Sequence, residues 1–463
     1  MSSKLQRRLA RFAGQDSARP ESTKKPAKIA ALQRKLDRLV VDGRRGLRFR
    51  ETPEPSTALA RLLRDAPALR ELAPEDRHRA LPGKRQSTPH GELHFVRQWL
   101  EPAHHHGRAP VEPARTASAD LIARLALDRA FEDVDPQHML LIDTETTGLS
   151  TGAGTLPFLV GVGFFEDASL CIEQMLLTQR SDEPALLRCL AERIESASCL
   201  VSYNGKSFDW PLLRSRFVLN RVPVPPLPPH LDLLHCARRA FKRRLASMRL
   251  VEMEREILGM VREHDVGGAE IPSIYLTFLR SGIPGRLDGV IEHNGHDLIA
   301  LAAFLAEIVR RFSEVQRADD PLDHLSYAAI AERAGDGERA TAFAHAAARG
   351  GGTRECSIDA LLIAARVARR AKDYVRERAC LEEALDHGDD ARVFLALSKA
   401  LEHRFKDFRL ALNYAQRGTG ETDDALQRRQ ARLERKLARA EANAAAPLLA
   451  SSLGGAEMGE AVG

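Results

Sequence analysis

The stretch Leu141–Val162, LIDTETTGLSTGAGTLPFLVGV, decides the fold. It belongs to an apolar run, Met139-Leu140-Leu141-Ile142, of the kind that forms a short buried strand and that stops at Asp143. Asp143 and Glu145 are two residues apart, so on a strand both carboxylates project from one face. Two like charges at the end of a buried strand repel each other and lose hydration, which is costly unless something cationic sits between them. Hard oxygen ligands in that arrangement suit Mg²⁺ or Mn²⁺. A lone D-x-E is better explained by a turn cap at Asp143 and a solvated Glu145, so other blocks must decide. The glycines of Gly152-Ala153-Gly154 are not a phosphate-binding Walker loop, because no Gly-Lys-Ser/Thr follows; they suit a turn between strands.

Outward from this stretch, Thr155–Phe165 and Leu170–Leu177 are predicted strands, Glu183–Ser196 a helix and Cys199–Tyr203 another buried strand. Strands in succession, then a helix, a strand and mostly helix, define an α/β or α+β sheet domain over residues 119–317. Before it, 51–118 forms an N-terminal extension with helix-like leucine spacing (Leu59, Leu62, Leu63, Leu69, Leu72) and an alternating strand over Gly91–Leu100. Residues 1–50 form a basic arm expected to be disordered, with at most a short amphipathic helix near Ile29–Val41. From residue 320 to 443 the composition turns to Ala, Arg, Leu and Glu with helical periodicity. Asp373-Tyr374 and Asp407-Phe408 lie 34 residues apart, the period of tetratricopeptide repeats. The match is degenerate: Ala379 follows Asp373 by six residues, whereas Ala411 follows Asp407 by four. A charged helix over Asp423–Asn443 and a disordered tail, 444–463, complete the chain.

Composition excludes several classes. The 463 residues are 44% hydrophobic and 29% charged, which suits two or three globular domains. No stretch approaches the roughly 20 apolar residues of a membrane span, and the basic start lacks the apolar segment of a secretory signal. Cys171, Cys189, Cys199, Cys236, Cys356 and Cys380 are scattered without C-x-x-C pairs, which suits free thiols in a cytoplasmic protein rather than disulfides or a structural zinc site. His104-His105-His106 has no accompanying acids or cysteines at ligand spacing, and a solvated loop is the better reading. The net charge of +5 is uneven: fifteen Lys and Arg against four acids give residues 1–50 a charge of +11 and leave −6 on the rest. Such an arm fits a nucleic-acid-binding extension and a solubilising tail equally.

Two later blocks carry further acids. In Ser202–Leu213 (SYNGKSFDWPLL), Asp209 opens a predicted helix with Pro211 in its first turn, where a carboxylate is favoured as a cap or by the helix dipole. In Val290–Leu301 (VIEHNGHDLIAL), His293 and Asp297 are four apart and share one helix face.

Taken together these blocks resemble the four-carboxylate DEDD 3′–5′ exonucleases of the ribonuclease-H-like fold, and more narrowly the YprB ribonuclease-H-like family. Besides the blocks already quoted, His230–Arg239 (HLDLLHCARR) and Leu258–Ile271 (LGMVREHDVGGAEI) carry the likeness, which covers about residues 90–310. The resemblance implies a mixed sheet flanked by helices, two divalent ions (Mg²⁺ or Mn²⁺), and hydrolysis of single-stranded DNA or RNA from its 3′ end. It implies that Asp143 bridges both ions, that Glu145 and Asp297 hold the one activating water, and that Asp209 helps hold the second, in keeping with two-metal phosphodiester chemistry.

The wider family divides between a His five residues before the last Asp and a Tyr four before it. Here Glu292 holds the first spacing and His293 the second, so the subtype stays open. His293 is expected to be the general base, since an imidazole takes protons near neutral pH, with His296 as its rival. Thr146, Thr147, Gly148 and Leu149 follow the first acids, where the family meets the terminal nucleotide. Asn204, Lys206 and Phe208 are candidate contacts to phosphate, sugar or base, with a packing role for Phe208 equally open. Asp232 suits a structural cap better than a metal ligand. The basic stretch Arg238–Arg244 and the arm offer backbone contact with phosphates. Aromatic residues are only 5%, so long stacking platforms are not expected. The alternatives are an adaptor that uses the helical repeats to bind protein or nucleic acid around an inert nuclease fold, and an endonuclease of the same fold.

Overall fold

The computed structural model describes residues 81–148, 154–318 and 320–453, with side chains described as far as 443. The arm, the leucine pattern of residues 51–80, the helix expected near Ile29–Val41 and the end of the tail lie outside these residues.

The chain enters through β1 (Lys84–Thr88) and β2 (Gly91–Leu100), then a small hairpin of β3 (His105–His106) and β4 (Ala109–Pro110). Helix α1 (Ala119–Ala126) precedes β5 (Met139–Thr146), β6 (Pro157–Glu166) and β7 (Ser169–Leu176). Helix α2 (Glu183–Glu195), β8 (Cys199–Ser202), α3 (Asp209–Leu219), β9 (His230–Asp232) and α4 (Leu233–Phe241) follow. Seven strands make one mixed sheet in the order β1-β2-β7-β6-β5-β8-β9. β5, β8 and β9 run parallel, and the other pairings are antiparallel.

Strand β2, on the stretch set apart as an extension, pairs along β7 from His94–Leu176 to Leu100–Leu170, so it adds to the same sheet. β6 is buried from Pro157 to Gly163, as a central strand covered on both faces must be. On β5 the alternation sends Leu141 into the core that holds Leu298, Leu301 and Phe304, and Leu140 and Ile142 into the core of Leu186, Leu190 and Leu213. The side chains of Asp143 and Glu145 continue the Leu141 row.

The rest is helical: a short α5 (Leu250–Met253) that passes into a π-turn, α6 (Ile271–Ser281) and the 27-residue α7 (Leu287–Ser313). Helix α7 lies against the sheet so closely that a Cβ on Gly161 would overlap the Asn294 amide. Gly161 pairs with Asp143 in the β5–β6 ladder, so this one glycine lets α7 reach the acids.

Beyond the sheet domain come α8 (Pro321–Ala334), α9 (Gly337–Arg349), α10 (Arg354–Arg370), α11 (Tyr374–Asp386), α12 (Ala391–Ala400), α13 (Phe408–Gln416) and α14 (Asp423–Leu453). Asp336, Asp373 and Asp407 cap α9, α11 and α13 with their side chains, each accepting a backbone N–H three residues on. The regularly spaced aspartates of the sequence are therefore helix caps. Arg244, after α4, forms a bidentate pair with Asp323 of α8 at 2.9 Å for both bonds and ties the helical region to the sheet domain. No described helix is long and apolar enough to cross a membrane, and all six cysteines are free thiols.

Candidate active site

Four carboxylates converge where β5, α3 and α7 meet. Asp143 and Glu145 leave the end of β5, Asp209 opens α3 beside the end of β8, and Asp297 sits on α7. The turn before α3 is fixed by Asp232, which is 2% exposed and accepts the backbone N–H groups of Asn204 (2.8 Å), Lys206 (3.2 Å) and Leu234 (3.1 Å). Asp232 is thus the cap of α4 and the anchor of the turn, which holds Asn204 at a left-handed φ of +67°. Asp209 Oδ1 accepts the Thr144 hydroxyl at 2.5 Å. Asp143 Oδ2 accepts Nδ2 of the fully buried Asn294 at 2.8 Å, and Asn294 is itself oriented by Gln174, whose Nε2 donates to its Oδ1 at 2.9 Å.

Ligand atoms of Glu145, His293 and Asp297 lie within 4.8 Å of one another, a set fit to hold a divalent ion. Asp143 and Asp209 fall outside that triad, each with an oxygen on a hydrogen-bond donor, yet both are close enough to be coupled to it. Burial first, then Asp297, Glu145 and Asp209, push the Asp143 carboxyl well above the usual range. Burial, Asp297, Asp209 and Asp265 push Glu145 up to about 8. Burial raises Asp209 to about 6 against the pull of Thr144, and Asp297 is raised by burial although Arg262 and His293 oppose it. Carboxyls pushed upward together are the electrostatic mark of a cage short of positive charge, and a divalent cation supplies what is short. The donor set therefore fits a divalent cation.

His293 points into the cage: its Nε2 is 3.8 Å from Glu145 Oε1 and 3.8 Å from Asp297 Oδ2, while Nδ1 contacts Asp265 Oδ1 at 2.7 Å. His296 turns away, 4.0 Å from Glu292, and lines a separate cavity of about 510 Å³ with His104, His106 and Gln174. The His104–His106 tract gathers no metal-holding set among the described residues. His106 instead meets the buried Glu254 at 2.7 Å.

Among the expected substrate contacts, the Thr146 hydroxyl donates to the Gly148 carbonyl at 2.7 Å. The Thr147 hydroxyl accepts the Leu156 N–H at 3.0 Å, so both shape the turn after β5. Leu149 lies outside the described residues. Asn204, Lys206 and Phe208 occupy the turn before α3, with Phe208 50% exposed rather than packed in the core. In the basic stretch, Arg244 is paired with Asp323, while Arg239 donates one N–H to the Leu125 carbonyl at 3.3 Å.

Sequence reasoning passed over Arg262, Asp265, Asn294 and Glu254. The first two stand in the quoted block Leu258–Ile271, and Asn294 is the neighbour of His293. Buried Arg262, 4% exposed, donates to Asp297 Oδ1 at 2.5 Å and to Glu254 Oε1 at 3.0 Å.

Sheet order, acid placement and helix packing define a ribonuclease-H-like domain, and residues 140–309 match the family model described as RNase_H superfamily. Within that class the chain is similar to the "Uncharacterized protein YprB" of Bacillus subtilis (strain 168), with 35% identity over 197 residues. That alignment covers 42% of this chain and 47% of the relative, so the chain spans about half the length of the curated relative it matches. The chain carries a YprB-like ribonuclease-H-like domain, a nuclease fold, followed by a helical region.

Proposed function

We propose that the protein is a divalent-metal-dependent 3′–5′ exonuclease acting on single-stranded DNA or RNA. The observation that carries this reading is the convergence of Glu145, His293 and Asp297, with Asp143 and Asp209 near enough to act on their charges, at the end of an interior strand of a ribonuclease-H-like sheet. Asp143, Glu145, Asp209 and Asp297 would hold two Mg²⁺ or Mn²⁺ ions. Bound there, the ions supply positive charge for the negative charge that builds up on the phosphate during in-line displacement. His293 Nε2 takes the proton of the attacking water, with its other nitrogen anchored on Asp265. The turn of Thr146, Thr147, Gly148 and Leu149 receives the terminal nucleotide, and Asn204, Lys206 and Phe208 meet the next phosphate, sugar or base.

On this reading the exonuclease domain is the expected 119–317 extended back to β1 and β2, which share its sheet, with 320–443 a tetratricopeptide-like region and the +11 arm a non-specific phosphate tether. The protein works in the cytoplasm, where its thiols stay reduced. One observation favours a protein or nucleic-acid partner for the helical region: a groove of about 430 Å³ lined by Arg243, Arg369 and Lys399 around Leu362 and Leu395.

The test is digestion of end-labelled linear and circular single strands with Mg²⁺ or Mn²⁺. Mononucleotide release from the linear strand's 3′ end, an intact circle and loss of activity in Asp143→Ala are expected. Cleavage of the circle would make the protein an endonuclease. Undiminished digestion by Asp143→Ala would remove the proposed site, and an inert wild type would favour the adaptor.

A further inference from the structure

Behind the acids runs a chain of charges that leads from the buried His106 and Glu254 through Arg262 to the exposed Asp265. The segment between the π-turn and α6 brings Arg262 and Asp265 against α7. Arg262 reaches three carboxylates: Nη2 is 2.5 Å from Asp297 Oδ1 and 2.9 Å from Glu254 Oε2, and Nη1 is 3.4 Å from Asp265 Oδ2. Glu254 Oε1 is shared with His106 Nε2 at 2.7 Å. The second oxygen of Asp265 takes the His293 Nδ1 contact at 2.7 Å and also accepts the Val266 N–H at 2.9 Å.

The chemistry of these contacts fixes the proton positions. The Val266 N–H already donates to Asp265 Oδ1, and this carboxylate oxygen offers His293 only a lone pair, so Nδ1 must carry the hydrogen. In the neutral tautomer that carries its hydrogen on Nδ1, the lone pair is on Nε2, and that atom lies between Glu145 and Asp297. On the other side, Arg262 engages Asp297 Oδ1 and leaves Oδ2 as the oxygen turned toward His293. A planar guanidinium with five donors can hold Asp297, Glu254 and Asp265 at once, whereas a lysine ammonium on a flexible stem cannot keep the same three geometries.

We propose that Arg262 and Asp265 act as one positioning clamp: Asp265 sets the tautomer and ring orientation of His293, and Arg262 sets which oxygen Asp297 offers to a divalent ion. This inference rests on the nuclease reading for its catalytic consequence, but the clamp itself has consequences that do not need activity. Outer partners of this kind, which orient a ligand rather than touch the ion, typically change metal affinity or activity about 10–100-fold when removed.

The experiment uses the full chain and the variants Asp265→Ala, Asp265→Asn and Arg262→Lys, each checked for a wild-type melting profile. Long-range nitrogen–proton NMR of histidine-labelled protein reads the His293 tautomer, its signals assigned by their loss in His293→Gln. Mn²⁺ titration calorimetry reads affinity, and end-labelled oligonucleotides give kcat and KM. Expected for Asp265→Ala are loss of the Nδ1–H tautomer and a kcat lower by about 10–100-fold with KM little changed. Asp265→Asn, whose amide oxygen can still accept from Nδ1, recovers part of both. Arg262→Lys weakens Mn²⁺ binding by about the same factor. Retention of the Nδ1–H tautomer in Asp265→Ala, or wild-type Mn²⁺ affinity in Arg262→Lys, overturns the clamp. Wild-type protein that hydrolyses nothing overturns the nuclease reading instead, while tautomer and affinity still decide on the clamp.

Discussion

The acidic site and the basic groove of the helical region are opposite in charge, and they are built in opposite ways. At the end of β5, carboxylates are buried faster than cations arrive to meet them. Among the described residues Arg262, its side chain 4% exposed, is the one guanidinium hydrogen-bonded to the acid set, and the carboxyls of Asp143, Glu145, Asp209 and Asp297 are all pushed upward. In the groove between α8, α10 and α12 the charges are positive and solvated. Arg366 is neutralised by Glu332 at 2.7 and 2.8 Å, and Arg392 by Asp359 and Asp390 at 2.6 and 2.9 Å. Arg243, Arg369 and Lys399 remain exposed, and their side chains make no ion pair among the described residues. An exposed cation costs little to keep and demands nothing, whereas buried like charges are an energetic debt that calls for a specific ligand. The acidic site is therefore the feature that speaks of chemistry, and the basic groove speaks of attraction.

The sharpest way to test that contrast is to remove the metal and vary pH. Glu145 rises from 4.5 to about 8 and Asp209 from 3.8 to about 6 in the folded protein. A folded-state pKa above the unfolded one means the native state holds the proton more tightly. The stability these groups contribute is fully present below 4.5 and 3.8, and is lost as pH rises through about 6 and then about 8. In chelator the melting temperature is expected to fall as pH rises from about 4 to about 8, the Asp209 contribution being spent by about 6 and the Glu145 contribution by about 8. With Mn²⁺ present the fall disappears, because deprotonated ligands bind the ion. Asp143→Asn removes one member of the repelling set and raises the metal-free melting temperature at pH 8. Calorimetry across that range checks it; a metal-free protein that is equally or more stable at pH 8 breaks the contrast.

A second test attacks the packing that brings α7 to the acids. Gly161→Ala inserts a methyl group where Asn294 lies, and Asn294 holds Asp143. Overpacking of this kind costs about 1–3 kcal/mol. Lower thermal stability is expected together with weaker Mn²⁺ binding, since α7 also carries His293 and Asp297. A variant that loses stability but keeps full Mn²⁺ affinity would show that the acids do not depend on the close approach of α7.

How much of this was legible in the sequence follows from distance along the chain. Asp143 and Glu145 stand out locally, because two charges of period two interrupt an apolar run. Asp373 and Asp407 announce helix starts for the same local reason. Arg262 and Asp265 do not, since their meaning lies in partners 35 and 28 positions away, on a different element. Asn294 reads as an ordinary polar residue until Gly161 opposite it is seen to lack the side chain that would exclude it. The addition of β2 to the sheet is equally hidden: an alternating strand proclaims that it pairs, but not that its partner is β7, 76 residues on at the Arg97–Glu173 contact.

The smallest effect belongs to the groove, and it discriminates best between a docking surface and a part of the catalytic path. Replacing Arg243, Arg369 and Lys399 together by alanine removes three exposed cations that hold no partner in place. Stability is expected to change by no more than about 0.5 kcal/mol for each, the range for surface positions. Turnover of an oligonucleotide a few residues long is expected to stay at the wild-type level, because such a strand can occupy the acidic site without reaching α10 and α12. Longer strands give the informative comparison. If their affinity falls in the triple variant and the salt dependence becomes shallower, phosphates lie along the groove, since each neutralised phosphate contributes to that slope. If strands of every length behave as in the wild type, the groove serves a different partner. Slower turnover of the shortest strands would mean that the groove's positive charge acts on the acidic site itself, and the two regions would then have to be treated as one.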